Sequence, residues 1–259
     1  MDKNLFIKLK IKKLISFGIS STGGRNFLGR ICVHHQGGGN KRIFKFIDFF
    51  RRLNSFGLIL NIWKDSFRSA HIGCIYYLNG LITNSIISEN NKIGNILFSG
   101  DIISNKMCFN LGSAIPLKYI TLFSIINNIE LFPLSSGKLT RSAGVGSILI
   151  GLNPKYAFLK LSSGWQLKVD NFSFSTLGFV SNSKHKYDII HKAGMNRNLG
   201  VRPTVRGVAK NPCDHPHGGG EGKKSPPSAQ RSPWGRLTKG TPTKNKKVDR
   251  LNRRLFRKI

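Results

Sequence analysis

The C-terminal stretch of the chain, residues 191–259, has the composition that most restricts how this protein can fold. Seven prolines interrupt it, and the glycine run 218–220 adds backbone freedom. Proline removes a backbone N–H and ends helices, so no long helix is compatible with this spacing. Only short apolar anchors recur here, at Val205, Val208 and Trp234. The sequence predicts an extension that cannot fold alone and is ordered by wrapping around a nucleic acid, with disorder as the alternative.

The charge of the chain indicates the kind of partner. Its 259 residues include 42 Lys and Arg against 11 Asp and Glu, which gives a formal net charge of +31 and a pI of about 10.7. The excess is +10 over residues 1–59, +6 over residues 60–190 and +15 over residues 191–259. A purely solubilising surface would mix both signs. We therefore expect a folded centre between two nucleic-acid-binding arms rather than an ordinary enzyme.

Residues 58–170 have the spacing of an all-β protein. Asn79-Gly80 separates two β-rich runs and predicts a hairpin in which both turn residues take positive φ. Asn153-Pro154 and Ser162-Ser163-Gly164 separate three further runs and predict a three-stranded meander. Short strands at this spacing close into small barrels more readily than into parallel sheets. The predicted strands are 58–63, 72–78, 81–88, 147–152, 156–161 and 165–169, with a seam between two barrels near residues 101–116.

The N-terminal segment is basic and apolar. Leu5, Ile7 and Leu9 alternate with Lys8 and Lys10, which is strand spacing. This pattern favours a basic arm over residues 1–22, with a cleaved import signal as the alternative. No run approaches the roughly 20 uninterrupted apolar residues that a membrane helix needs, so no membrane span is expected.

Three stretches near the N-terminus, residues 23–30, 34–42 and 44–52, combine glycines with basic side chains. The glycine triplet 37–39 beside Lys41 and Arg42 allows backbone N–H groups to approach phosphates that guanidinium groups grip. A flexible linker is the alternative. The glycine triplets lack the spacing of a Walker loop or a dinucleotide fingerprint. Asp48 is expected to accept hydrogen bonds from Arg51 or a backbone turn rather than to act as a catalytic acid.

Residues 214–222, Asp-His-Pro-His-Gly-Gly-Gly-Glu-Gly, carry two imidazoles on a backbone of proline and glycine. Together with Cys213, these side chains are of types that ligate zinc, and His215, His217 and Glu221 are of types that transfer protons. No second pair of ligands elsewhere completes a tetrahedral site, and the cysteines at 32, 74, 108 and 213 include no CxxC pair. We expect donors that meet phosphate and ribose, with a metal site or acid–base catalysis as alternatives.

These motifs together resemble the universal family of large-subunit ribosomal protein two, over about residues 23 to 247. The last third of the chain carries the most specific matches. The matching stretches are Gly24-Arg-Asn with Gly29-Arg30, Gly37-Gly-Gly with Lys41, Ile47-Asp48-Phe49, Ala114-Ile-Pro-Leu117, Arg141-Ser-Ala-Gly144, Gly200-Val-Arg-Pro-Thr-Val-Arg-Gly-Val-Ala209, Asn211-Pro212, residues 214–222, Pro233-Trp-Gly235 and Thr238-Lys-Gly240.

The resemblance implies a mainly β fold in four parts. A basic N-terminal arm spans residues 1–22, an OB-fold RNA-binding barrel residues 23–104, an SH3-like barrel residues 105–190, and a basic irregular extension that threads into rRNA residues 191–259. It also implies a structural role: the chain binds and organises large-subunit rRNA near the peptidyl transferase centre and supports subunit association. The chain is then not an enzyme, because RNA carries out peptidyl transfer in that family.

The resemblance and the charge pattern also predict which residues contact RNA. No catalytic residue, protein-held metal or cofactor is expected, with structural Mg²⁺ held by the rRNA as the alternative. The predicted loop near the peptidyl transferase centre comprises Asp214, His215, His217, Gly218, Gly219, Gly220 and Glu221. The predicted RNA-binding residues are Arg25, Arg30, His35, Lys41, Arg42, Arg51, Arg52, Arg141, Arg197, Arg202, Arg206, Lys210, Lys223, Lys224, Arg231, Trp234, Arg236 and Lys239.

The expected partners are large-subunit rRNA, other large-subunit proteins and the small subunit across the interface, with no small-molecule substrate. A diverged middle region, roughly 54–135, with an intact tail resembles mitochondrially encoded members of the family. We therefore expect a place in the mitochondrial ribosome of the matrix, with the plastid or the bacterial cytoplasm as alternatives.

Two other functions stay open at this stage. One is an RNA-directed or metal-assisted enzyme that uses His215, His217 and Glu221. The other is a non-ribosomal OB module that binds single strands through residues 23–190. The sequence of that region lacks a dense stripe of aromatic and basic residues, which counts against such a module.

Overall fold

The computed structural model describes residues 15–101, 106–222, 229–241 and 256–258. The chain divides into two compact units. The first unit comprises Met1–Ser20, Lys41–Ile189 and Asn252–Ile259, and the second comprises Ser21–Asn40 and Ile190–Leu251. Most of the predicted basic arm, residues 1–14, lies outside the described residues, and the predicted domain boundaries at residues 104 and 190 stay predictions.

Short β-strands form the first unit. They are β1 (Ser16–Ile19), β2 (Arg42–Lys45), β3 (Ser55–Trp63), β4 (Ile72–Tyr77), β5 (Ile82–Ile86), β6 (Ile96–Ser99), β7 (Ala114–Pro116), β8 (Ile125–Asn127), β9 (Ile129–Glu130), β10 (Gly137–Leu139), β11 (Ser147–Leu152), β12 (Tyr156–Lys160), β13 (Trp165–Asp170), β14 (Phe174–Leu177) and β15 (Phe256–Lys258). Three 3₁₀ turns accompany them, at Lys106–Phe109, Leu117–Tyr119 and Ser183–Tyr187. The second unit holds helix α1 (Ala193–Asn198) and a 3₁₀ turn at Gly207–Ala209.

Eleven of the strands form one continuous sheet in the order β15-β13-β12-β11-β8-β14-β7-β6-β3-β4-β5. Its pairs are antiparallel except β6 and β7, which run parallel where Ser99 lies beside Ala114. The chain thus re-enters the same sheet at β7, within the predicted seam, residues 101–116. The mainly β class is confirmed, and the strand order agrees with an OB-fold barrel followed by an SH3-like barrel.

Three apolar clusters lie in the interior of the first unit, the smallest formed by Ala70, Ile86 and Val180. Strands β3, β4 and β6 supply Ile59, Ile75, Tyr77 and Leu97 to one cluster. A larger cluster draws on β7, β8 and the β11–β13 meander. The buried residues of this cluster are at most 9% exposed. Removing apolar surface from water stabilises the fold by roughly 25 cal/mol per Å².

The hairpin predicted at Asn79-Gly80 is confirmed as β4 and β5, but its turn differs from the expectation. Gly80 has a φ of +84°, whereas Asn79 is not among the residues with positive φ. The N–H of Gly80 donates to the Tyr77 carbonyl at 2.9 Å, and the Asn79 side chain accepts from the Leu81 N–H at 3.2 Å. Only one residue therefore takes the left-handed conformation, in the manner of a type I turn followed by a bulge.

The three-stranded meander is also confirmed, as β11, β12 and β13. The strands pair in sequence order, and Gly164 reverses the chain with a φ of +83°. β15 pairs with the outer edge of β13. Within the described residues, no helix is long and apolar enough to cross a membrane.

Candidate nucleic-acid interface

The second unit has almost no interior. Among its described residues, only Gly24 and His215 are buried. Large apolar side chains such as Phe27, 94% exposed, and Trp234, 74% exposed, face solvent. A unit with so few buried side chains gains little free energy from apolar burial. Its order therefore depends mainly on backbone hydrogen bonds.

The glycine triplet 37–39 pairs with the start of the C-terminal extension. The Gly37 N–H donates to the Gly200 carbonyl at 2.7 Å, and the Arg202 N–H donates to the His35 carbonyl at 2.8 Å. The His35 ring adds a bond from Nδ1 to the Pro203 carbonyl at 3.1 Å. Two motifs far apart in sequence therefore form one ladder, which favours a built structure over the flexible-linker alternative.

Gly39 shows why this ladder needs glycine. Its φ is +63°, and a Cβ placed there would lie 2.8 Å from both the Asn198 carbonyl oxygen and the Gly200 nitrogen. A residue with a side chain would have to displace backbone at this point. Neighbouring Gly38 has open space around its Cα and no positive φ. The close approach is therefore specific to one glycine of the triplet.

Residues 23–30 form a tight loop around the side chain of Asn26. Asn26 Oδ1 accepts the N–H of Leu28 at 3.1 Å and of Arg30 at 2.9 Å. The Asn26 N–H donates to the Arg30 carbonyl at 2.9 Å. An Asx side chain that satisfies the backbone in this way fixes a turn without apolar packing. The loop carries exposed Arg25 and Arg30 and the exposed Phe27 ring.

The loop with two histidines is held by backbone bonds and by the His215 ring. The Gly219 N–H donates to the Lys210 carbonyl at 3.1 Å, and the Gly218 N–H donates to the His215 carbonyl at 2.9 Å. The His215 ring, only 8% exposed, lies against Gly207. A Cβ on Gly207 would come within 2.6 Å of the His215 Cε1 atom. Gly207 thus makes room for the imidazole.

Each of the two imidazoles accepts a hydrogen bond from a backbone N–H group, and we call this pair of bonds the histidine relay. The His217 N–H donates to His215 Nδ1 at 3.1 Å, and the Arg231 N–H donates to His217 Nε2 at 3.0 Å. The two ring centroids lie 4.8 Å apart. Because both accepting nitrogens must lack a proton, this geometry requires neutral rings. The relay connects the histidine loop to the hairpin that follows.

That hairpin presents a tryptophan at its tip. The Thr238 N–H donates to the Gln230 carbonyl at 3.0 Å, and the Ser232 N–H donates to the Arg236 carbonyl at 2.8 Å. The Trp234 ring projects beyond these bonds, and the nearest aromatic partner described, the His34 ring, lies 6.1 Å away. An exposed indole among cations is suited to stacking on a nucleobase.

The histidine relay predicts a response to acid. Burial, His217 and the Lys210 charge together lower the pKa of His215 from its usual 6.5. The folded state therefore binds fewer protons at this site than the unfolded chain, so its stabilising effect is present above pH 6.5 and is lost as the pH falls. Nuclear magnetic resonance of the His215 ring should show a midpoint below 6.5. Lys210→Ala should move that midpoint upward, and a midpoint at or above 6.5 in the wild-type chain would contradict the relay.

The described RNA-binding candidates fall into three groups by exposure. Arg42, Arg52 and Lys210 are half-buried, Arg51 is buried, and Lys223 and Lys224 lie outside the described residues. In the loop predicted near the peptidyl transferase centre, His215 is buried, His217 and Gly218 are half-buried, and Asp214, Gly219, Gly220 and Glu221 are exposed. The exposed candidates are Arg25, Arg30, His35, Lys41, Arg141, Arg197, Arg202, Arg206, Arg231, Trp234, Arg236 and Lys239.

The prediction that Arg51 contacts RNA does not fit its burial. Its guanidinium is 1% exposed and donates to Ser99 Oγ from Nε at 3.1 Å and Nη2 at 2.9 Å. Nη1 donates to the Gly112 carbonyl at 2.7 Å. The side chain is committed to the protein interior, so we remove Arg51 from the RNA-contacting set. Asp48 has the expected turn role, since its Oδ1 accepts the Arg51 N–H at 3.0 Å.

Arg52 and Arg141 also contact protein groups. Arg52 pairs with buried Glu130 at 2.7 Å and lies over the Phe174 ring. The Arg141 guanidinium lies 4.9 Å from the Phe49 ring centroid while the residue stays exposed. Their RNA contacts stay predictions.

The structure includes contributors that sequence reasoning passed over. Gly207 and the Lys210 carbonyl shape the histidine loop, although neither is among the residues predicted for that loop. Gly207 stands within a motif already recognised, but nothing local indicates that an imidazole would pack on it. Among the described residues, no group of three or more His, Cys, Asp and Glu is arranged to hold a metal ion.

Two family models cover most of the chain. The model described as "Ribosomal Proteins L2, RNA binding N-terminal domain" matches residues 12–99. The model described as "Ribosomal Proteins L2, C-terminal domain" matches residues 110–235. The second match includes the glycine-rich histidine loop and most of the Trp234 hairpin.

Curated relatives agree along nearly the full length. The large ribosomal subunit protein uL2 of Hyphomonas neptunium is 42% identical over 253 residues, covering 97% of this chain and 90% of the relative. The uL2 proteins of Orientia tsutsugamushi and of Buchnera aphidicola subsp. Schizaphis graminum are both 41% identical, covering 95% and 97% of this chain and 89% and 90% of the relatives. With its mainly β fold and its RNA-binding domain match, this chain belongs to the L2 family of large-subunit ribosomal proteins, which are structural and not enzymes.

Proposed function

We propose that this chain organises large-subunit rRNA beside the peptidyl transferase centre and supports association with the small subunit. The observation that carries the proposal is the second unit, which exposes cations and aromatic rings but buries only Gly24 and His215 among its described residues. Such a surface lacks an apolar core of its own, and its positive charge is complementary to a polyanion.

The histidine loop has a specific place in this proposal. Its imidazoles are used as hydrogen-bond acceptors for the His217 and Arg231 backbone N–H groups. They therefore shape the loop from within, and the exposed Asp214, Gly219, Gly220 and Glu221 are left to face RNA. The loop would position RNA while the RNA performs the chemistry.

The assignment of parts follows the same reasoning. An OB-fold barrel over residues 23–104 and an SH3-like barrel over residues 105–190 would anchor the protein, and residues 191–259 would reach into rRNA. The ladder between His35 and Arg202 adds that residues 21–40 act together with the extension.

We also propose the mitochondrial ribosome as the location. The support is compositional, because Phe, Ile and Asn are enriched in the diverged middle region. The relatives named above are bacterial proteins. Ribosomes purified from mitochondria and from cytosol of the source organism should contain the chain only in the mitochondrial fraction, and its recovery elsewhere would overturn this placement.

Salt-dependent binding tests the RNA-binding role. Each phosphate contact adds roughly 0.7 to 0.9 to the slope of log affinity against log salt. Replacing exposed Arg202 and Arg206 together with Gln should lower that slope by about 1.5 on large-subunit rRNA. The matched pair Lys92→Gln and Lys138→Gln, exposed in the first unit, should leave the slope unchanged.

Sedimentation supplies the decisive outcome. The wild-type protein should travel with the large subunit at moderate salt. If it stays at the top of the gradient, the proposed function fails whatever the variants do.

A further inference from the structure

A cluster of aromatic rings lies on and beside the small β1–β2 sheet of the first unit. It consists of Phe17, Phe44, Phe46 and Phe67, and we call it the aromatic ribbon. The Phe17 ring lies 5.4 Å from Phe44 and 5.2 Å from Phe46, and the Phe44 ring lies 5.6 Å from Phe67. Four rings from three chain segments thus form one continuous surface.

This surface is open to solvent. Phe46 is 60% exposed, Phe17 46% and Phe67 41%. Rings that serve only as core residues are far less accessible, as Phe98 is at 3%. A contiguous exposed apolar patch of this kind indicates a binding surface.

The ribbon is held rigidly on the first unit. Lys45 Nζ donates to the Lys64 carbonyl at 2.6 Å and pairs with Asp65 at 3.1 Å. Arg68 binds the other oxygen of the same carboxylate at 2.8 Å. The Ser66 hydroxyl donates to the Ile43 carbonyl at 3.3 Å. These bonds fix β2 against the loop that follows β3, so the rings are preorganised.

The charges around the ribbon are positive. Asp65 is 1% exposed and already paired with two cations. Lys41 and Lys64 are exposed beside β2, and the Arg42 guanidinium lies 5.8 Å from the Phe67 ring centroid. A ligand here meets flat apolar faces bordered by cations.

We propose that the aromatic ribbon binds unpaired RNA nucleotides, with bases stacked on Phe46 and Phe17 and phosphates near Lys41 and Lys64. The proposal rests on the proposed RNA-binding function and adds a site in the first unit. Nucleobases fit ring faces without regard to sequence, and each phosphate complements a cation. Charge complementarity therefore favours RNA over a protein partner, which would need only the apolar area.

Fluorescence anisotropy with an oligouridine of about eight nucleotides and the full chain tests this site. Phe46→Leu keeps the apolar volume but removes the ring face, and it should weaken binding about tenfold without changing the salt slope. Phe46→Tyr should bind like the wild type. Phe132→Leu is the matched control, because Phe132 is 56% exposed elsewhere on the first unit.

Each outcome is decisive. Equal binding by Phe46→Leu and wild type, with large-subunit rRNA still bound, overturns the aromatic ribbon alone. If Phe46→Leu leaves RNA binding unchanged but Phe46→Asp abolishes incorporation into the large subunit, the surface docks a protein and the proposal is also wrong. Failure of the wild type to bind any RNA overturns the proposed function and this site with it.

Discussion

The Arg51→Ala substitution should lower the free energy of unfolding by about 4 kcal/mol. Truncating a large buried side chain typically costs roughly 2–5 kcal/mol. The change also leaves the Gly112 carbonyl without its Arg51 donor, and an unsatisfied buried group of this kind costs about 1–3 kcal/mol. Because Ser99 Oγ also meets the Tyr77 hydroxyl at 3.0 Å, the damage should reach the apolar cluster around β4.

Urea unfolding followed by circular dichroism measures this effect. Lys92→Ala is the control, since it removes a cation from an exposed position of the same unit. The control should change stability by less than about 0.5 kcal/mol. A loss below about 1 kcal/mol for Arg51→Ala would mean that the buried guanidinium is not the structural centre described above.

The Gly39→Ala variant should lose at least tenfold in affinity for large-subunit rRNA. The left-handed backbone costs a residue with a side chain about 1–2 kcal/mol. The added methyl group would also have to push aside the Asn198 carbonyl and the Gly200 nitrogen. Since about 1.4 kcal/mol corresponds to a factor of ten, the ladder between the glycine triplet and the extension should open.

Gly38→Ala provides an unusually close control. It makes the same chemical change one residue away, where nothing lies within 4 Å of the new methyl group. This variant should bind rRNA like the wild type. Equal losses of rRNA affinity in both variants would show that binding needs the flexibility of the triplet and not the close approach at Gly39.

Six strands of the first unit, β3, β4, β5, β11, β12 and β13, could be predicted because their signals are local. Asn79-Gly80 and Ser162-Ser163-Gly164 mark chain reversals through the preferences of the residues themselves. The predicted type of turn at Asn79-Gly80 was wrong, because dipeptide preference alone does not decide between a two-residue loop and a loop with a bulge. In the folded chain the Gly80 N–H donates to the Tyr77 carbonyl, which closes the bulged loop.

Features that depend on distant residues could not be predicted. Arg51 looked like a surface cation, and its burial follows from Ser99 and Gly112, which are 48 and 61 positions away. The aromatic ribbon was missed for the same reason, since the pairing of β1 with β2 brings Phe17 to Phe44, and Phe67 joins them from the loop after β3. The sequence seemed to lack an aromatic and basic stripe, yet folding assembles one.

The site predictions differ in what now supports them. Family membership and the fold class are established, whereas the individual RNA contacts and the barrel boundaries remain predictions. The motif residues were recognisable because glycine, proline and histidine at fixed spacing are rare by chance. Their mutual geometry, such as the His217 to His215 bond, is a tertiary property that spacing does not encode.

The ladder of the second unit also sets an order of events during synthesis. His35 and Pro203 are 168 positions apart, and the strands β2 to β14 are all made in between. At typical elongation rates, that gap lasts on the order of 10 seconds or more. The glycine motif therefore leaves the exit tunnel long before its partner exists, and the barrels have time to fold first. Maturation of this chain would then be timed by its own topology, with the RNA-reading face completed last.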